Sequence, residues 1–282
     1  VSDVLLVTCA LLPDGEAGGD LLVAQLAERG HTARWAVWDD PAVDWAAADL
    51  VAVRSAWDYQ RRCPEFLAWA RSTAAVTPVL NGPDVFAWNA DKRYLLDLAA
   101  LVPVVPTALL DEAGLVPGLT AALERWGTVV IKPRTGAGGV GVVVADSLTD
   151  LRLEGLVVAP WVVQPLVESV RTSGESSVYV LGGGAVAQVD KAATGEEIRV
   201  HELYGGSSRP VPLDADAAVL AEDAVRAAAG LLDADLPYAR VDLMRGAGGW
   251  VVSELELIEP GLYLDVQPAL AGRFADLVAR YA

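Results

Sequence analysis

The sequence predicts a mixed fold, an α/β unit with a small parallel sheet over residues 1–88 followed by an α+β remainder. Three observations predict it. Short apolar strands and helical spacings alternate through about residue 85, as in a parallel sheet with helices on its faces. Two later pairs of apolar runs are joined by Gly182-Gly183-Gly184 and by the segment from Gly246 to Gly249, and read as antiparallel hairpins. No uninterrupted apolar stretch is long enough to span a bilayer.

The elements follow in order. Val4 to Thr8 is an apolar strand. Asp20 to Arg29 carries Leu21, Leu22 and Leu26 at helical spacing and stops at Gly30. Thr32 to Trp38 and Leu50 to Arg54 read as strands, Glu65 to Arg71 as a helix, and Val79-Leu80 as a short strand. Asn89 to Ala100 is expected as one helix, and Pro103 and Pro106 bracket an extended segment. Leu119 to Trp126 reads as helix, Thr128 to Lys132 and Val140 to Ala145 as strands, and Val157 to Val167 as mostly extended. Ser176 to Leu181 pairs with Ala185 to Lys191. Asp216 to Leu231 is an alanine-rich helix, Tyr238 to Arg245 pairs with Trp250 to Ile258, and Pro268 to Tyr281 is helical.

Composition narrows the function. The net charge is -17, which repels nucleic acid and anionic membranes at long range, so neither is expected as a partner. An anionic ligand must be held by a local cluster of cations. Two cysteines without CxxC spacing read as reduced thiols of a cytoplasmic protein. Two histidines exclude a histidine-rich metal site. The N-terminal stretch has no basic segment ahead of an apolar run, so no signal peptide is expected. Of 21 basic residues only Lys92, Lys132 and Lys191 are lysines. Where arginine serves as the general-purpose cation, a retained lysine points to a compact ammonium at a phosphate.

Lys132 closes the apolar run Val129-Val130-Ile131 just before Gly136-Ala137-Gly138-Gly139-Val140-Gly141. By letters this is G-x-G-x-x-G. A dinucleotide fingerprint needs a helix after the loop, and Val142-Val143-Val144 is a strand. A kinase loop needs its lysine afterwards, with HRD and DFG motifs, and neither motif exists. What remains is a flexible hairpin whose backbone N–H groups can approach phosphate oxygens, with a glycine-rich surface hairpin as the plain alternative.

The last hairpin is acidic. Glu254 and Glu256 share a strand face, and closing the turn brings Asp242 opposite Glu254 to within about one residue. Three such carboxylates suit Mg²⁺; a solvated acidic face is the alternative. Arg240 shares the face of Asp242 and is positioned to meet a phosphate.

Together these pieces resemble the ATP-grasp superfamily over essentially the whole chain. The order carries the resemblance: Asp91-Lys92, Ile131-Lys132-Pro133, the glycine hairpin, Gln164-Pro165-Leu166 with Glu168, and late Asp242, Glu254 and Glu256. It implies an N-terminal small parallel-sheet (Rossmann-like) domain over 1–88, then a two-lobed ATP-grasp domain divided into 89–167, with the glycine hairpin, and 168–282, with the metal site. It implies ATP with Mg²⁺ or Mn²⁺ as cofactors. Lys92, Lys132 and the loop of Gly136, Gly138 and Gly139 would contact phosphates. Gln164, Pro165, Leu166 and Val167 would face adenine, and Glu168 the ribose. Asp242, Glu254 and Glu256 would hold the metal; the last position is often asparagine in the family, and Glu256 departs from that.

Val37-Trp38-Asp39-Asp40-Pro41, Arg54-Ser55-Ala56-Trp57-Asp58-Tyr59, Trp88-Asn89-Ala90-Asp91-Lys92 and Glu254 to Pro260 are most similar to a glutathione-synthetase-like branch that includes D-cycloserine synthetases. The implied reaction activates a carboxylate as an acyl phosphate, with release of ADP, on a small amino-acid-like substrate. Ring closure of O-ureido-D-serine is the specific expectation. An amine ligase and a non-catalytic nucleotide-binding regulator stay open, as does a homodimer. Lys191, Arg199 and Arg240 are the expected catalytic cations, although Arg199 also reads as a rim charge paired with Glu196 or Glu197. Arg54, Trp57, Asp58, Tyr59 and Glu259 are the expected substrate residues; Trp57 also reads as core.

Overall fold

A computed structural model describes residues 1–156, 159–195 and 197–282. Part of the segment expected to be extended, Val157 and Val158, lies outside the described residues, as does Glu196. The chain opens with β1 (Asp3–Thr8), α1 (Asp20–Glu28), β2 (Thr32–Val37), β3 (Leu50–Ser55) and α2 (Cys63–Ala74). The three strands form a parallel sheet of order β2-β1-β3, and Val79 extends its edge by a parallel bridge to Val51. A continuous apolar strand such as β3, buried at every residue, needs cover on both faces. One face takes α2 with Phe66, Trp38 and Phe86, and the other takes α1 and the last helix through Leu22, Leu26 and Phe274. Truncating a buried phenylalanine such as Phe66 to alanine would cost about 3–5 kcal/mol.

Of the expected helix 89–100 only Asn89, the last residue of α3 (Pro83–Asn89), and α4 (Tyr94–Leu98) are helical, with a break at Asp91-Lys92. The break has a tertiary cause. Lys92 N donates to Arg134 O at 2.8 Å rather than to the carbonyl four residues back, and Asp91 is held by the Arg134 guanidinium. Lys92 is therefore carried by a turn and not by a helix.

β4 (Ala108–Leu110), too short to be read from the sequence, leads into α5 (Leu115–Trp126). This helix begins four residues before the expected Leu119, because Pro117 falls in its first turn, where a missing N–H costs nothing. β5 (Val129–Pro133), β6 (Val143–Ala145) and β7 (Trp161–Pro165) complete an antiparallel sheet of order β4-β7-β5-β6, with α5 on one side through Leu119 and Ala122. β6 starts at Val143 and not Val140, since Gly141 at φ +73° keeps the chain in the loop.

The remaining strands are β8 (Glu175–Leu181), β9 (Gly184–Ala192), β10 (Ser207–Val211), β11 (Tyr238–Gly246) and β12 (Gly249–Glu256). They form a sheet of order β10-β9-β8-β11-β12. α6 (Ala215–Leu232) starts at Asp214, whose carboxylate accepts from Asp216 N and Ala217 N, and ends at Asp233 in the left-handed region. It packs with α4 on this sheet, placing Ala221, Ala224 and Leu98 against Val178 and Val241. α7 (Ala269–Val278) returns to the N-terminal sheet. No described helix is long and apolar enough to cross a membrane.

Candidate active site

β11 and β12 set the site. Their register pairs Arg240 with Glu256 and Asp242 with Glu254, within the one-residue expectation from the sequence. The register then slips, so that Leu243 faces Val252 and Ser253 is the extra residue of a bulge. Ser253 Oγ lies 2.9 Å from Glu175 Oε2 and 3.0 Å from Asp242 O, fixing that irregularity.

Asp242 is the centre of a dense network. Its carboxylate accepts from Arg240 Nε at 3.0 Å, Arg240 Nη2 at 2.8 Å and Ser177 Oγ at 2.5 Å, with Lys191 Nζ at 3.3 Å. Burial works against its charge, but Arg240 and Lys191 hold its pKa well below the ordinary value. Lys191 lies opposite Glu175 across the β8–β9 hairpin and pairs with it at 2.6 Å. Burial alone would lower the Lys191 pKa, yet Asp242 and Glu175 raise it. Arg240 also reaches Glu256 Oε1 at 2.5 Å.

Above this network lies a cavity lined by Tyr59, Asn89, Lys92, Gly136, Ala137, Glu254, Leu255, Glu256 and Glu259. Lys92, 8 % exposed, bridges Glu254 Oε1 and the carbonyl of Gly136, both at 2.9 Å. It thus ties the glycine loop to β12. Burial opposes ionisation of Glu254, and Lys92 and then Lys132 overcome it, lowering its pKa. Burial pushes Glu256 up to about 7, against the pull of Arg240 and with help from Asp242 and Glu254. Lys132 is half-buried and makes no ion pair among the described residues.

The three acids expected to share a metal do not gather into one cluster. Among the described residues no group of three or more acidic, His or Cys side chains is placed to hold an ion. The reason is that Arg240 and Lys92 stand among them, and Asp242 already engages both oxygens with cations, Oδ1 with Arg240 and Lys191 and Oδ2 with Arg240. Glu254 and Glu256 each engage one oxygen and leave Oε2 without a partner among the described residues. Two hard oxygens on a cavity wall fit Mg²⁺, which takes one or two carboxylates and completes its shell with water and phosphate.

Other expected residues lie elsewhere. Arg199 pairs with Glu197 at 2.6 Å and stacks on Tyr204, its guanidinium carbon 3.5 Å from the ring centroid. Both pack beside Gly139, where a Cβ would meet Tyr204 at 3.2 Å and Arg199 at 3.4 Å. Gly138 and Gly139 have φ of +61° and +72°, so the loop needs glycine at both. Gln164 is buried on β7 and donates to Thr107 Oγ1 at 3.0 Å. Pro165, Leu166 and Val167 continue from it, and Leu166 N donates to Thr128 O. Glu168 is exposed and faces Arg171 at 3.6 Å. None of these residues lines the cavity.

The substrate residues of the N-terminal unit divide. Tyr59 lines the cavity. Arg54 is fully buried and does not, contrary to its expected place among the substrate residues. Its guanidinium donates to Pro260 O at 2.5 Å, lies 3.5 Å from Glu16 Oε1 and sits 4.5 Å from the Phe274 ring centroid. A buried guanidinium needs such partners to be tolerated at all. Asp58 likewise accepts from Trp38 Nε1 at 2.9 Å and lies outside the cavity wall. Trp57 donates to Glu259 O at 3.0 Å.

These contacts belong to one device that the sequence did not reveal. The chain after β12 has no neighbouring strand among the described residues, and side chains satisfy its backbone instead. Asn89 bonds Leu255 O and Leu257 N, Asn81 bonds Leu257 O, and Tyr238 bonds Ile258 O. Trp57, Arg54 and Tyr179 hold the carbonyls of Glu259, Pro260 and Gly261, and Leu262 N donates to Glu16. The one sequence signal for Glu16 is an acid among Gly15, Gly18 and Gly19 beyond the carboxyl end of β1.

Comparison with known proteins identifies the family. A family model for the D-cycloserine synthetase DcsG N-terminal domain matches residues 4–81. The chain is 33% identical to the cycloserine biosynthesis protein DcsG of Streptomyces lavendulae over 270 residues, 89% of each chain. The crystal structure of D-cycloserine synthetase DcsG superposes with a TM-score of 0.85 at 31% identity, covering 99% of this chain and 100% of that one. The ATP-grasp ligase PsnB, solved with a minimal precursor, Mg and ADP, shares the fold alone: TM-score 0.65 at 19% identity, over 99% and 98% of the two chains. The chain belongs to the ATP-grasp ligase family, in the branch of the cycloserine biosynthesis protein DcsG.

Proposed function

We propose that this protein is an ADP-forming cyclo-ligase that uses ATP to close O-ureido-D-serine to D-cycloserine. The observation that carries the reading is the cavity itself. A phosphate-type cation and a glycine loop, Lys92 with Gly136 and Ala137, face an acidic wall of Glu254, Glu256 and Glu259. The 33% identity over 89% of a cycloserine biosynthesis protein supports the specific substrate.

In this reading Lys92, Lys132 and the backbone of Gly136 to Gly139 hold the phosphates of ATP. The segment Gln164 to Val167 lies along the base and Glu168 meets the ribose. Glu254 and Glu256 would hold Mg²⁺ or Mn²⁺, which would supply neutralisation of phosphate charge. Arg240 and Lys191 keep Asp242 ordered behind them, and Arg240 also holds Glu256. Arg199, stacked beside the glycine loop, is a cation within the same region. The protein's task is positioning and neutralisation, which accounts for a site of cations and carboxylates without a nucleophilic triad. A cytoplasmic location fits the two free cysteines.

Incubation with ATP, Mg²⁺ and O-ureido-D-serine as the sole amino acid tests this, with ADP and cyclic product measured by mass spectrometry. Product formation without a second amino acid is expected. ADP release only when two separate amino acids are supplied would replace the cyclase by an amine ligase.

A further inference from the structure

Two polar side chains of the cavity have no partner among the described residues. Glu259 is 6 % exposed, and its carboxyl makes no hydrogen bond or ion pair among the described residues. Tyr59 is 5 % exposed, and its hydroxyl makes none either. Both line the cavity. Buried polar groups are ordinarily satisfied, and each exception asks what completes it. The other carboxylates nearby have their answer: Glu254 has Lys92, and Glu256 and Asp242 have Arg240.

Glu259 is not a stray acid. Its carbonyl is held by Trp57 and that of Pro260 by Arg54, so its backbone is fixed by two side chains from the segment that also carries Tyr59. That fixed placement is the preorganisation a recognition group requires. A hydrogen-bond donor completes both groups, and a cationic donor suits the carboxylate best. A phosphate or carboxylate would be repelled by Glu259. A divalent ion is better served by the free oxygens of Glu254 and Glu256. A primary ammonium offers three donors and one charge on a compact head, which suits one carboxylate and one phenolic oxygen.

We infer that Glu259 and Tyr59 form the subsite for the substrate's primary ammonium group, and that Glu259 is a specificity-determining residue for α-amino acid substrates. The inference rests on the ligase reading above and deepens it. Trp57 and Arg54 are positioning residues for this subsite. Burial and then the Glu256 carboxylate raise the Glu259 pKa, as fits a carboxyl without its cation.

Steady-state ADP release with O-ureido-D-serine and with its desamino counterpart tests this. In wild type the desamino compound should show a KM higher by roughly 10- to 100-fold, the worth of a hydrogen bond to a charged group. Glu259→Gln should raise the KM for O-ureido-D-serine by a similar factor. It should leave the KM values for the desamino compound and for ATP unchanged. Tyr59→Phe should give the same split with a smaller factor, and serves if the first variant fails to fold. Equal KM values for both compounds in wild type overturn the inference, as does a Glu259→Gln defect shared equally by both. If wild type turns over a different α-amino acid, the cyclase reading fails while the same split with that acid and its desamino form still decides the subsite. No turnover with any amino acid defeats both.

Discussion

Asp242 and Glu259 belong to the same acidic neighbourhood and meet opposite treatment. Asp242, 2 % exposed, lies on the sheet between β8 and β12, with two cations and a serine hydroxyl supplied by β8, β9 and β11. Glu259 lies on the strap after β12, where the protein holds every carbonyl from Ile258 to Gly261 and leaves the carboxyl bare. The sheet side is completed by the protein. The strap side is completed only by something else. Polar groups that a fold leaves unsatisfied at one place and satisfies thoroughly beside it mark where local stability has been traded for recognition.

The largest effect should come from breaking the completed side. Asp242→Asn removes the charge that compensates both Arg240 and Lys191, leaving two buried cations. Loss of one partner from a buried pair costs about 3–5 kcal/mol. Denaturant unfolding should show that loss with or without nucleotide. A change below about 1 kcal/mol would mean that solvent or Glu175 and Glu256 already neutralise the two cations.

Lys132 sharpens the comparison from the incomplete side. It has no ion pair among the described residues, so Lys132→Met should leave the melting temperature nearly unchanged while weakening ATP binding by roughly 10- to 100-fold. Calorimetric titration with ATP would read this directly, and unchanged affinity would remove Lys132 from the phosphate site. Lys132→Arg should recover little, because a planar fork replaces a point charge.

Much of this arrangement was legible because it is local. Glycine runs fix two hairpins, and strand periodicity then forces Glu254 and Glu256 onto one face and brings Asp242 opposite Glu254. The failures share a cause. Asn89 to Ala100 has helical spacing throughout, and only Arg134, more than forty residues on, pulls Asp91 and Lys92 out of the helix. Arg54 ends a strand where ligands gather, so a substrate role was the natural reading. Its true partners, Glu16 and Pro260, come from loops at the two ends of the chain. The strap is the extreme case: a segment paired with no strand has no periodicity to announce it, and its partners come from most of the chain.

The smallest predicted effect bears most directly on the comparison. Glu259 is a buried acid whose folded pKa is raised, first by desolvation and then by the Glu256 carboxylate. Glu254 adds to this rise, while Lys92 and Arg240 oppose it without cancelling it, and Tyr59 faces the same cavity. An acid raised in the folded state binds its proton more tightly there than in the unfolded chain. Its contribution is therefore fully present below the unfolded value near 4.5 and is lost as pH rises through the folded one. Asp242, with a lowered pKa, runs the other way: its contribution is present above its unfolded value and lost in acid. Glu259→Gln should accordingly melt higher than wild type at pH 8 in the absence of ligand, by about a degree or a few. The gap should close toward pH 4, where the wild-type carboxyl is protonated in both states. Thermal melts of both proteins across this range give the answer. A variant that melts lower than wild type at pH 8 would mean that the ionised carboxylate already has a stabilising partner within the fold, and the contrast with Asp242 would disappear.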